Sequence, residues 1–190
     1  MNGVNLETSR LLLRRFEMDD LEDLYEYACR PEVGPAAGWK PHESRRETGQ
    51  ILAGFMHGTE VWAVVWKETG KVIGSVGLHG DSHRSSSPDV KMLGYVLSPD
   101  YWGRGVMTEA ARRVLAYAFE ERGARLVSVS HFSFNNRSRR VIEKCGFAYE
   151  GTFRRCFLRY DGEWLDECCY SMTREEYFLE GAEDFAESGI

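Results

Sequence analysis

The apolar positions of this chain recur with two different periods, and each period predicts one kind of element. Apolar residues spaced three and four apart predict helices, whereas short alternating or continuous apolar runs predict strands. The predicted helices span Asp19–Cys29, Glu43–His57, a segment between Gly105 and Gly123, and Asn135–Cys145. The predicted strands span Leu11–Phe16, Val61–Trp66, Lys71–Leu78, Lys91–Leu97, Leu126–His131, Phe147–Phe157 and Trp164–Met172.

The order of these elements predicts the fold class. Turn sequences at Lys67-Glu68-Thr69-Gly70 and at Asp161-Gly162 predict hairpins between neighbouring strands. The order β-α-α-β-β-β-α-β-α-β-β predicts an α/β fold in which helices cover the faces of a mixed sheet. A length of 190 residues suits one domain with its own core.

The run from Leu93 to Ala110 carries the strongest chemical signal. It predicts a strand, a short loop containing Gly103 and Gly105, and the start of a helix. Glycines let the main chain approach a ligand closely, and the free N–H groups and dipole at a helix N-terminus favour an anion. The local sequence therefore predicts that main-chain groups hold a phosphate-bearing ligand.

Two other interpretations of this loop stand beside the first. One is a strand-to-helix turn whose glycines serve packing and bind no ligand. The other is a dinucleotide-binding fold, because Gly103-Arg104-Gly105 resembles the start of Gly-x-Gly-x-x-Gly. That pattern is incomplete, since Thr108 occupies the third glycine position and the next acidic pair, Glu120-Glu121, lies at a helix end.

Composition narrows the class of protein. Hydrophobic residues make up 43% and charged residues 28% of the chain, as in ordinary globular proteins. The net charge of −6 equals that of the segment Glu175–Ile190, whose charged side chains are all acidic. No apolar run reaches membrane-spanning length, the first residues lack a signal-peptide pattern, and no nucleic-acid-binding module is recognised. We therefore expect a cytoplasmic protein without nucleic-acid or membrane partners.

The cysteines do not predict a metal site. The chain holds five, Cys29, Cys145, Cys156, Cys168 and Cys169, and none has the spacing of a metal-binding motif. Cys168 and Cys169 are neighbours in a predicted strand, so their side chains point to opposite faces. We expect the cysteines to serve as small apolar side chains in a protein of a reducing compartment, and we expect no bound metal.

The segment Trp102–Met107 is similar to the acyl-CoA signature Gln/Arg-x-x-Gly-x-Gly/Ala of the GNAT acetyltransferases. Gly105 matches the central glycine, whereas Trp102 and Met107 depart from the general pattern. The longer run Tyr-Trp-Gly-x-Gly followed by Met-Thr-Glu-Ala resembles the RimJ/RimL branch of that family, which contains N-terminal protein acetyltransferases and their relatives.

Three further segments carry the same resemblance. His131–Phe147 contains Asn-x-x-Ser followed by Arg-Val-Ile-Glu-Lys-Cys-Gly-Phe, which is similar to the family's segment after its fifth strand. Arg10–Phe16 resembles the family's opening, and Glu150–Arg154 with the later Asp161-Gly162 resembles its closing hairpin. The segments occur in the family's order.

The resemblance implies one GNAT-fold domain at residues 8–177, followed by an acidic tail at residues 178–190. It implies transfer of an acetyl group from acetyl-CoA to a primary amine, with the N-terminal α-amine of a protein or peptide as the expected acceptor. A main-chain N–H near Tyr95 is expected to polarise the thioester, and loop amides to hold the pyrophosphate. The implied donor-binding residues are Tyr95, Val96, Leu97, Trp102, Gly103, Arg104, Gly105, Val106, Met107, Thr108 and Asn135.

The sequence leaves the catalytic acid and base open. Ile142 stands where many family members carry a tyrosine acid, and Lys91-Met92 where many carry a glutamate base. By resemblance Ser138 lies near the thioester sulfur, which makes it the candidate acid. His131 and His79 are the candidate bases, because imidazole has a suitable pKa. A water chain to solvent is the alternative base.

Acceptor contacts and the assembly are the least constrained features. Trp39 and His42, in the predicted loop Pro31–His42, are candidate substrate residues, with plain packing as the alternative for Trp39. Arg104, Arg112 or Arg113 is a candidate for the 3′-phosphate of the donor, and a solvated helix face is the alternative for the last two. A homodimer formed through the late hairpin is expected from the resemblance.

Two other functions remain compatible with the sequence. One is acetylation of a small amine, such as a polyamine or an antibiotic. The other is a non-catalytic acyl-CoA-binding module, which the missing tyrosine and glutamate favour. Turnover on a panel of amines separates the three.

Overall fold

The computed structural model describes residues 4–57, 60–81, 83–84 and 87–179. Within them the strands are β1 (Leu6–Glu7), β2 (Leu11–Arg14), β3 (Val61–Trp66), β4 (Lys71–Gly80), β5 (Val90–Leu97), β6 (Leu126–Phe132), β7 (Ala148–Leu158) and β8 (Trp164–Thr173). The helices are α1 (Leu21–Ala28), α2 (Arg45–His57), α3 (Val106–Ala116) and α4 (Asn136–Lys144), and a further helical segment covers residues 174–179. Short 3₁₀ turns lie at Met18–Asp20, Gly34–Ala37 and Pro99–Tyr101, and a π turn, Tyr117–Glu121, extends α3.

The strands form one mixed sheet in the order β1-β2-β3-β4-β5-β6-β8-β7, which confirms the predicted fold class. Neighbouring strands run antiparallel except β5 and β6, which are parallel. These two pair only between Val90–Met92 and Leu126–Ser128, and then separate. Among the described residues, the backbone of β5 from Leu93 to Leu97 therefore has no strand partner on the edge that faces β6.

Helices cover both faces of the sheet, so the core has two layers. On one face α3 packs Ala110 and Val114 against Trp62 and other strand residues. On the opposite face α1 and α2 pack Leu24 and Leu52 against the sheet. Alternate residues of a strand point to opposite faces, so β3, β4 and β5 supply side chains to both layers.

Several boundaries differ from those predicted. The first strand ends at Arg14 rather than Phe16, because the chain turns where Arg14 pairs with Asp20 at 2.7 Å. The helix expected from Asp19 begins at Leu21, since the carboxylate of Asp20 accepts the N–H of Glu17 at 2.8 Å and closes a 3₁₀ turn. The helix expected from Glu43 begins at Arg45. Strand β1 was not predicted, because two residues are too few to show an alternation.

The two segments with the strongest family resemblance have the predicted local structure. Asn135 caps α4 by accepting the N–H of Ser138 at 3.1 Å, and Gly146, with φ of 84°, follows the helix. Most of the acidic tail predicted at residues 178–190 lies outside the described residues. No helix in the described part of the chain is long and apolar enough to cross a bilayer.

Candidate active site

A cleft of 710 Å³ opens where β5 and β6 separate. Tyr95 and Val96, successive residues of β5, both line it, so the cleft is open to both faces of the sheet. We call the part beside α3 and α4 the helix side, and the part beside the loop at residues 31–42 the loop side. The predicted site residues that line the cleft are Trp39, His79, Tyr95, Val96, Leu97, Trp102, Gly103, Gly105, Val106, Met107, Thr108, His131, Asn135 and Ser138.

The glycine loop presents main-chain donors at the helix side. Gly103 and Gly105 adopt φ of 74° and 70°, in the left-handed region that favours glycine. Gly105 is the N-cap of α3, and its carbonyl accepts the N–H of Glu109 at 3.0 Å. In the described parts of the chain, the N–H groups of residues 103–108 donate to no acceptor. This row of free amides at a helix N-terminus suits a pyrophosphate.

Glu109 anchors the loop and α3 to the start of the sheet. Its carboxylate accepts hydrogen bonds from Thr8 Oγ1 at 2.5 Å and from Arg10 Nε at 2.7 Å. Arg10 also donates to the carbonyl of Arg104 at 3.0 Å, which fixes the middle of the loop. Burial by itself raises the pKa of Glu109, but the hydrogen bonds from Thr8 and Arg10 outweigh burial and lower it.

Cationic side chains of α4 stand beside the loop, and the sequence interpretation missed them. The guanidinium of Arg137 lies 3.8 Å from the ring centre of Trp102, and Arg140 and Lys144 also line the cleft. Their positive charge complements a phosphate ligand. A spacing of three and four residues along α4 was the available signal, since it places all three on one helix face.

The arginines proposed from the sequence lie elsewhere. Arg104 does not line the cleft, and its guanidinium stacks 5.3 Å from the ring centre of Tyr101. Arg112 donates to the carbonyl of Lys144 at 2.6 Å, and Arg113 pairs with Glu121 at 3.1 Å.

A hydrogen-bonded hydroxyl pair stands at the helix side. Tyr95 of β5 brings its hydroxyl oxygen to 2.8 Å from Ser138 Oγ and to 3.2 Å from the Ser138 carbonyl oxygen. Burial raises the pKa of Tyr95, although its hydrogen bond to Ser138 opposes the rise, so the phenol stays protonated at neutral pH. When Tyr95 donates to Ser138, the serine proton is free to point into the cleft.

Asn135 joins the two sides of the cleft. Its Oδ1 accepts the N–H of Ser138, and its Nδ2 donates to the carbonyl of Ala36 at 3.0 Å. Ala36 belongs to the loop at residues 31–42, so one side chain sets the start of α4 and the position of that loop.

The two candidate histidines occupy different environments. His131 is 6% exposed, and both its ring nitrogens have protein partners. Nδ1 lies 2.8 Å from the Phe132 carbonyl, and Nε2 lies 3.3 Å from the Tyr170 hydroxyl. A proton on Nδ1 and an accepted bond at Nε2 satisfy the ring, which leaves it no free nitrogen for a substrate.

His79 faces the cleft instead. His79 of β4 pairs with Met92 of β5. Its ring packs over Gly77, where an added β-carbon would come within 3.1 Å of Nε2. The ring is exposed to the cleft yet bounded by protein, so burial lowers its pKa, and the positive charge of Lys91 lowers it further. The imidazole is therefore neutral near pH 7 and free to accept a proton.

Aromatic side chains cover the loop side. Trp39 lines the cleft, and Phe132 packs on Phe157 with ring centres 5.1 Å apart. A β-carbon on Gly38 would lie 2.8 Å from Phe157, so the loop fits closely over these rings. His42 does not line the cleft, because it is buried beneath Trp39 and bonded to Thr48 at 2.9 Å.

Glu167 of β8 lines the loop side and was not found from the sequence. Its side chain is 14% exposed, and it pairs with Phe132 across β6 and β8. Directly paired residues of antiparallel strands share a face, which places Glu167 among the aromatic side chains. Its position at alternate spacing from Leu165 and Cys169 was the available signal, but the neighbour strand was not readable.

None of the five cysteines lines the cleft. The five cysteines are all free in the structure. The described residues contain no group of three or more His, Cys, Asp or Glu side chains arranged to hold a metal ion. The polar side chains that line the cleft in the described part of the chain include hydroxyls, two imidazoles, two carboxylates and the basic side chains of α4.

Comparison with known proteins gives a consistent family. Residues 10–148 match the family described as the acetyltransferase (GNAT) domain. The uncharacterized N-acetyltransferase YoaA of Bacillus subtilis is 27% identical over 177 residues, covering 89% of this chain and 96% of that protein. A GNAT-family acetyltransferase from Bacillus anthracis has a TM-score of 0.82 and 27% identity, covering 91% of this chain and 100% of that one. The ribosomal-protein-S5-alanine acetyltransferase from Vibrio fischeri shares the fold, with a TM-score of 0.73 and 23% identity over 92% of this chain and 98% of that one.

Proposed function

The chain belongs to the GNAT acetyltransferase family, and we propose that it transfers the acetyl group of acetyl-CoA to the N-terminal α-amine of a protein or peptide. The family uses acetyl-CoA as its co-substrate, and the chain is an acetyl-CoA-dependent N-acetyltransferase. The observation that supports this function best is the cleft between β5 and β6. Free amides and cations suited to phosphate line its helix side, and the carboxylate of Glu167 lines its loop side.

The residues of the helix side fit acetyl-CoA. The free amides of residues 103–108 suit its pyrophosphate, and Arg137, Arg140 and Lys144 suit its remaining negative charge. The unpaired edge of β5 at Leu93–Leu97 offers main-chain groups to the amides of the pantetheine arm. Bound there, acetyl-CoA supplies an activated acetyl thioester and a thiolate leaving group.

The chain's own residues then orient the thioester and protonate the departing sulfur. A main-chain N–H of Val96 or Leu97 is positioned on the open edge of β5 to donate to the thioester oxygen. Ser138, with Tyr95 behind it at 2.8 Å, is positioned to give a proton to the departing sulfur. His79, neutral near pH 7, is the proposed group that accepts a proton on the loop side, and His131 has a structural role.

The loop side supports an α-amine as the acceptor. Trp39, Phe132 and Phe157 make an apolar wall, which suits the carbon skeleton of an N-terminal residue rather than a chain of several ammonium groups. Among the described carboxylates that line the cleft, Glu32 is paired with Arg30, whereas Glu167 has no Lys or Arg partner and matches a single ammonium. The Vibrio fischeri neighbour is named for acetylating an alanine of ribosomal protein S5, which is an acceptor of this class.

Location and assembly complete the proposal. Five free cysteines are compatible with a cytoplasmic enzyme. The late hairpin exposes large apolar side chains, with Phe153 at 50%, Leu158 at 53% and Trp164 at 56%. Such a patch suits burial against a second copy, and we propose that the hairpin forms a homodimer interface.

An acceptor screen tests the proposed function. Purified protein is incubated with acetyl-CoA and either an alanine-initiated hexapeptide, a serine-initiated hexapeptide, spermidine or kanamycin, and products are identified by mass spectrometry. The expected result is acetylation at the α-amine of a peptide, with no product from an N-acetylated peptide control. Acetylation of spermidine or kanamycin alone would make the enzyme a small-amine acetyltransferase, and binding of acetyl-CoA without any product would make it a non-catalytic module.

A further inference from the structure

Two carboxylates line the described part of the cleft, and their surroundings differ. Glu32 forms an ion pair with Arg30 at 2.8 Å, so its charge is already neutralised. Glu167 has no Lys or Arg partner among the described residues. A mostly buried carboxylate without a cation is costly, because an apolar wall does not replace the water that it loses.

The contacts of Glu167 are few and long. Oε1 lies 3.4 Å from the hydroxyl of Ser130, and Oε2 lies 3.6 Å from the thiol of Cys156. The imidazole Nε2 of His83 lies 3.5 Å from Oε2, at the solvent side of the carboxylate. Contacts of this length satisfy a carboxylate poorly, so its oxygens keep capacity for a strong donor.

The strand register places Glu167 on the loop side of the cleft, where the acceptor is proposed to bind. It pairs with Phe132 of β6, whose ring packs on Phe157 under the loop at residues 31–42. Tyr95 pairs with Val76 of β4 and reaches Ser138 on the helix side. The register places Tyr95 and Glu167 on opposite faces of the sheet, so the hydroxyl pair lies on the helix side of the cleft and the carboxylate on the loop side. A proton donor to the sulfur and a proton acceptor from the amine then lie on different sides of the thioester.

We propose that Glu167 is a catalytic residue that binds the acceptor as an ammonium and takes its first proton. The inference rests on the proposed function and adds the residue that handles the amine. Proton transfer from R–NH₃⁺ to Glu167 leaves a neutral amine, whose lone pair forms the new C–N bond as the C–S bond breaks. The second proton leaves nitrogen for His79 as the amide forms, and Ser138 gives its proton to the departing sulfur, so that CoA leaves as the free thiol. His79 then loses its proton to water and the Tyr95–Ser138 pair regains one, so these two exchanges cancel.

Glu167 is reset through His83. The imidazole of His83 lies 3.5 Å from the carboxylate and is 41% exposed, so it connects Glu167 with bulk water. One proton per turnover leaves by this route. The sum is one ammonium and one thioester converted into one amide, one thiol and one released proton.

The first test compares Glu167→Gln with Asp166→Asn. Asp166 is the neighbouring carboxylate, accepts the main-chain N–H of Arg155 at 2.7 Å and does not line the cleft, which makes it a matched control. With the alanine-initiated hexapeptide, Glu167→Gln is expected to lower kcat/KM by about 100-fold or more, as loss of a general base does. Its Kd for acetyl-CoA stays within about twofold, and Asp166→Asn keeps kcat/KM within about threefold. A Glu167→Gln enzyme within about threefold of the wild type would overturn the inference.

A second test needs no turnover. Binding of 2-phenylethylamine and of 2-phenylethanol to the complex with CoA is measured by calorimetry. The wild type is expected to favour the ammonium by about tenfold and Glu167→Gln to lose that preference, because a poorly solvated carboxylate discriminates by charge. If Glu167→Gln favoured the ammonium as strongly as the wild type does, the proposed role of Glu167 would be overturned. A wild type that keeps the preference but leaves the peptide unmodified would overturn the proposed acceptor alone.

Discussion

The hydroxyl oxygen of Tyr95 lies 2.8 Å from Oγ of Ser138, and the two residues come from β5 and α4 on opposite walls of the cleft. Neither wall alone forms the pair, because β5 and α4 meet only where β5 has separated from β6. Ile142 stands at the α4 position where many members of the family carry a tyrosine acid, and it is buried in the core. In this chain the phenol beside Ser138 comes from the sheet.

The hydroxyl pair is expected to act as one unit. Tyr95→Phe and Ser138→Ala are each expected to lower kcat by about 10- to 100-fold with little change in the Kd for acetyl-CoA, because each interrupts proton donation. The kcat of the double variant is expected to equal that of the slower single variant, since the effects of two groups in one relay are not additive. Steady-state kinetics check this, with the exposed Ser133→Ala as the control. Losses that multiply in the double variant would show independent roles.

Arg137 is expected to bind donor phosphate. Arg137→Ala is expected to raise the Kd for acetyl-CoA by about tenfold at low salt, and the difference shrinks as salt screens the charge. Arg139→Ala is the matched control, since Arg139 is exposed on the same helix, pairs with Glu143 at 2.7 Å and does not line the cleft. Calorimetric titration at two salt concentrations measures both. Equal effects of the two substitutions would contradict a phosphate role.

Glu109 is expected to stabilise the folded chain above mildly acidic pH. Although burial opposes ionisation, hydrogen bonds from Thr8 and Arg10 lower the pKa of Glu109 below its ordinary 4.5. Its stabilisation is therefore complete above about pH 4.5 and is lost as the pH falls through the lowered pKa. Glu109→Gln is expected to cost about 2 kcal/mol at pH 7 and less at low pH, because it weakens charge-assisted hydrogen bonds. Urea unfolding at several pH values tests this, with the exposed Glu143→Gln as the control.

The pKa of His79 is expected to respond in opposite directions to its two charged neighbours. Burial lowers this pKa from 6.5, Lys91 lowers it further and Glu60 raises it. Lys91→Met is expected to raise the pKa of His79, and Glu60→Gln to lower it. Titration of the imidazole by nuclear magnetic resonance measures all three proteins. Since the folded-state pKa lies below the unfolded value, His79 disfavours the folded state as the pH falls below 6.5. An unchanged pKa in Lys91→Met would contradict this electrostatic account.

The late hairpin is expected to form the dimer interface. Trp164→Glu places a charge in the proposed apolar interface and is expected to convert a dimer into a monomer. Met18→Glu is the matched control, because Met18 is also 56% exposed but lies in the turn before α1. Light scattering after size-exclusion chromatography reports the mass of each variant. A wild-type protein that is monomeric at micromolar concentration would contradict the interface.

The donor end of the cleft was predictable from the sequence because its signals are local. Gly103 and Gly105 are needed for a positive φ, and Asn135 caps the helix that it precedes. The acceptor end was not predictable in the same way. Glu167 faces the cleft because β8 lies between β7 and β6 and pairs with both. The pairing of β8 with β6 joins segments that are distant in the sequence.

The choice between the two histidines shows the same division. His131 shares the strand alternation of Val127 and Val129, which are buried, so the period of two already favours a packed side chain. His79 lies at the end of β4, beside glycines that leave room for its ring, and its exposure to the cleft depends on the separation of β5 and β6. That separation has no signature in the sequence of either strand.

A crystal structure with CoA and the alanine-initiated hexapeptide would show the donor and the acceptor in the cleft together. We expect phosphate oxygens on the amides of residues 103–108, the CoA sulfur within hydrogen-bond distance of Ser138 Oγ, and the peptide α-amine beside Glu167. A CoA molecule bound outside the cleft between β5 and β6, or a peptide amine on the helix side, would contradict this arrangement.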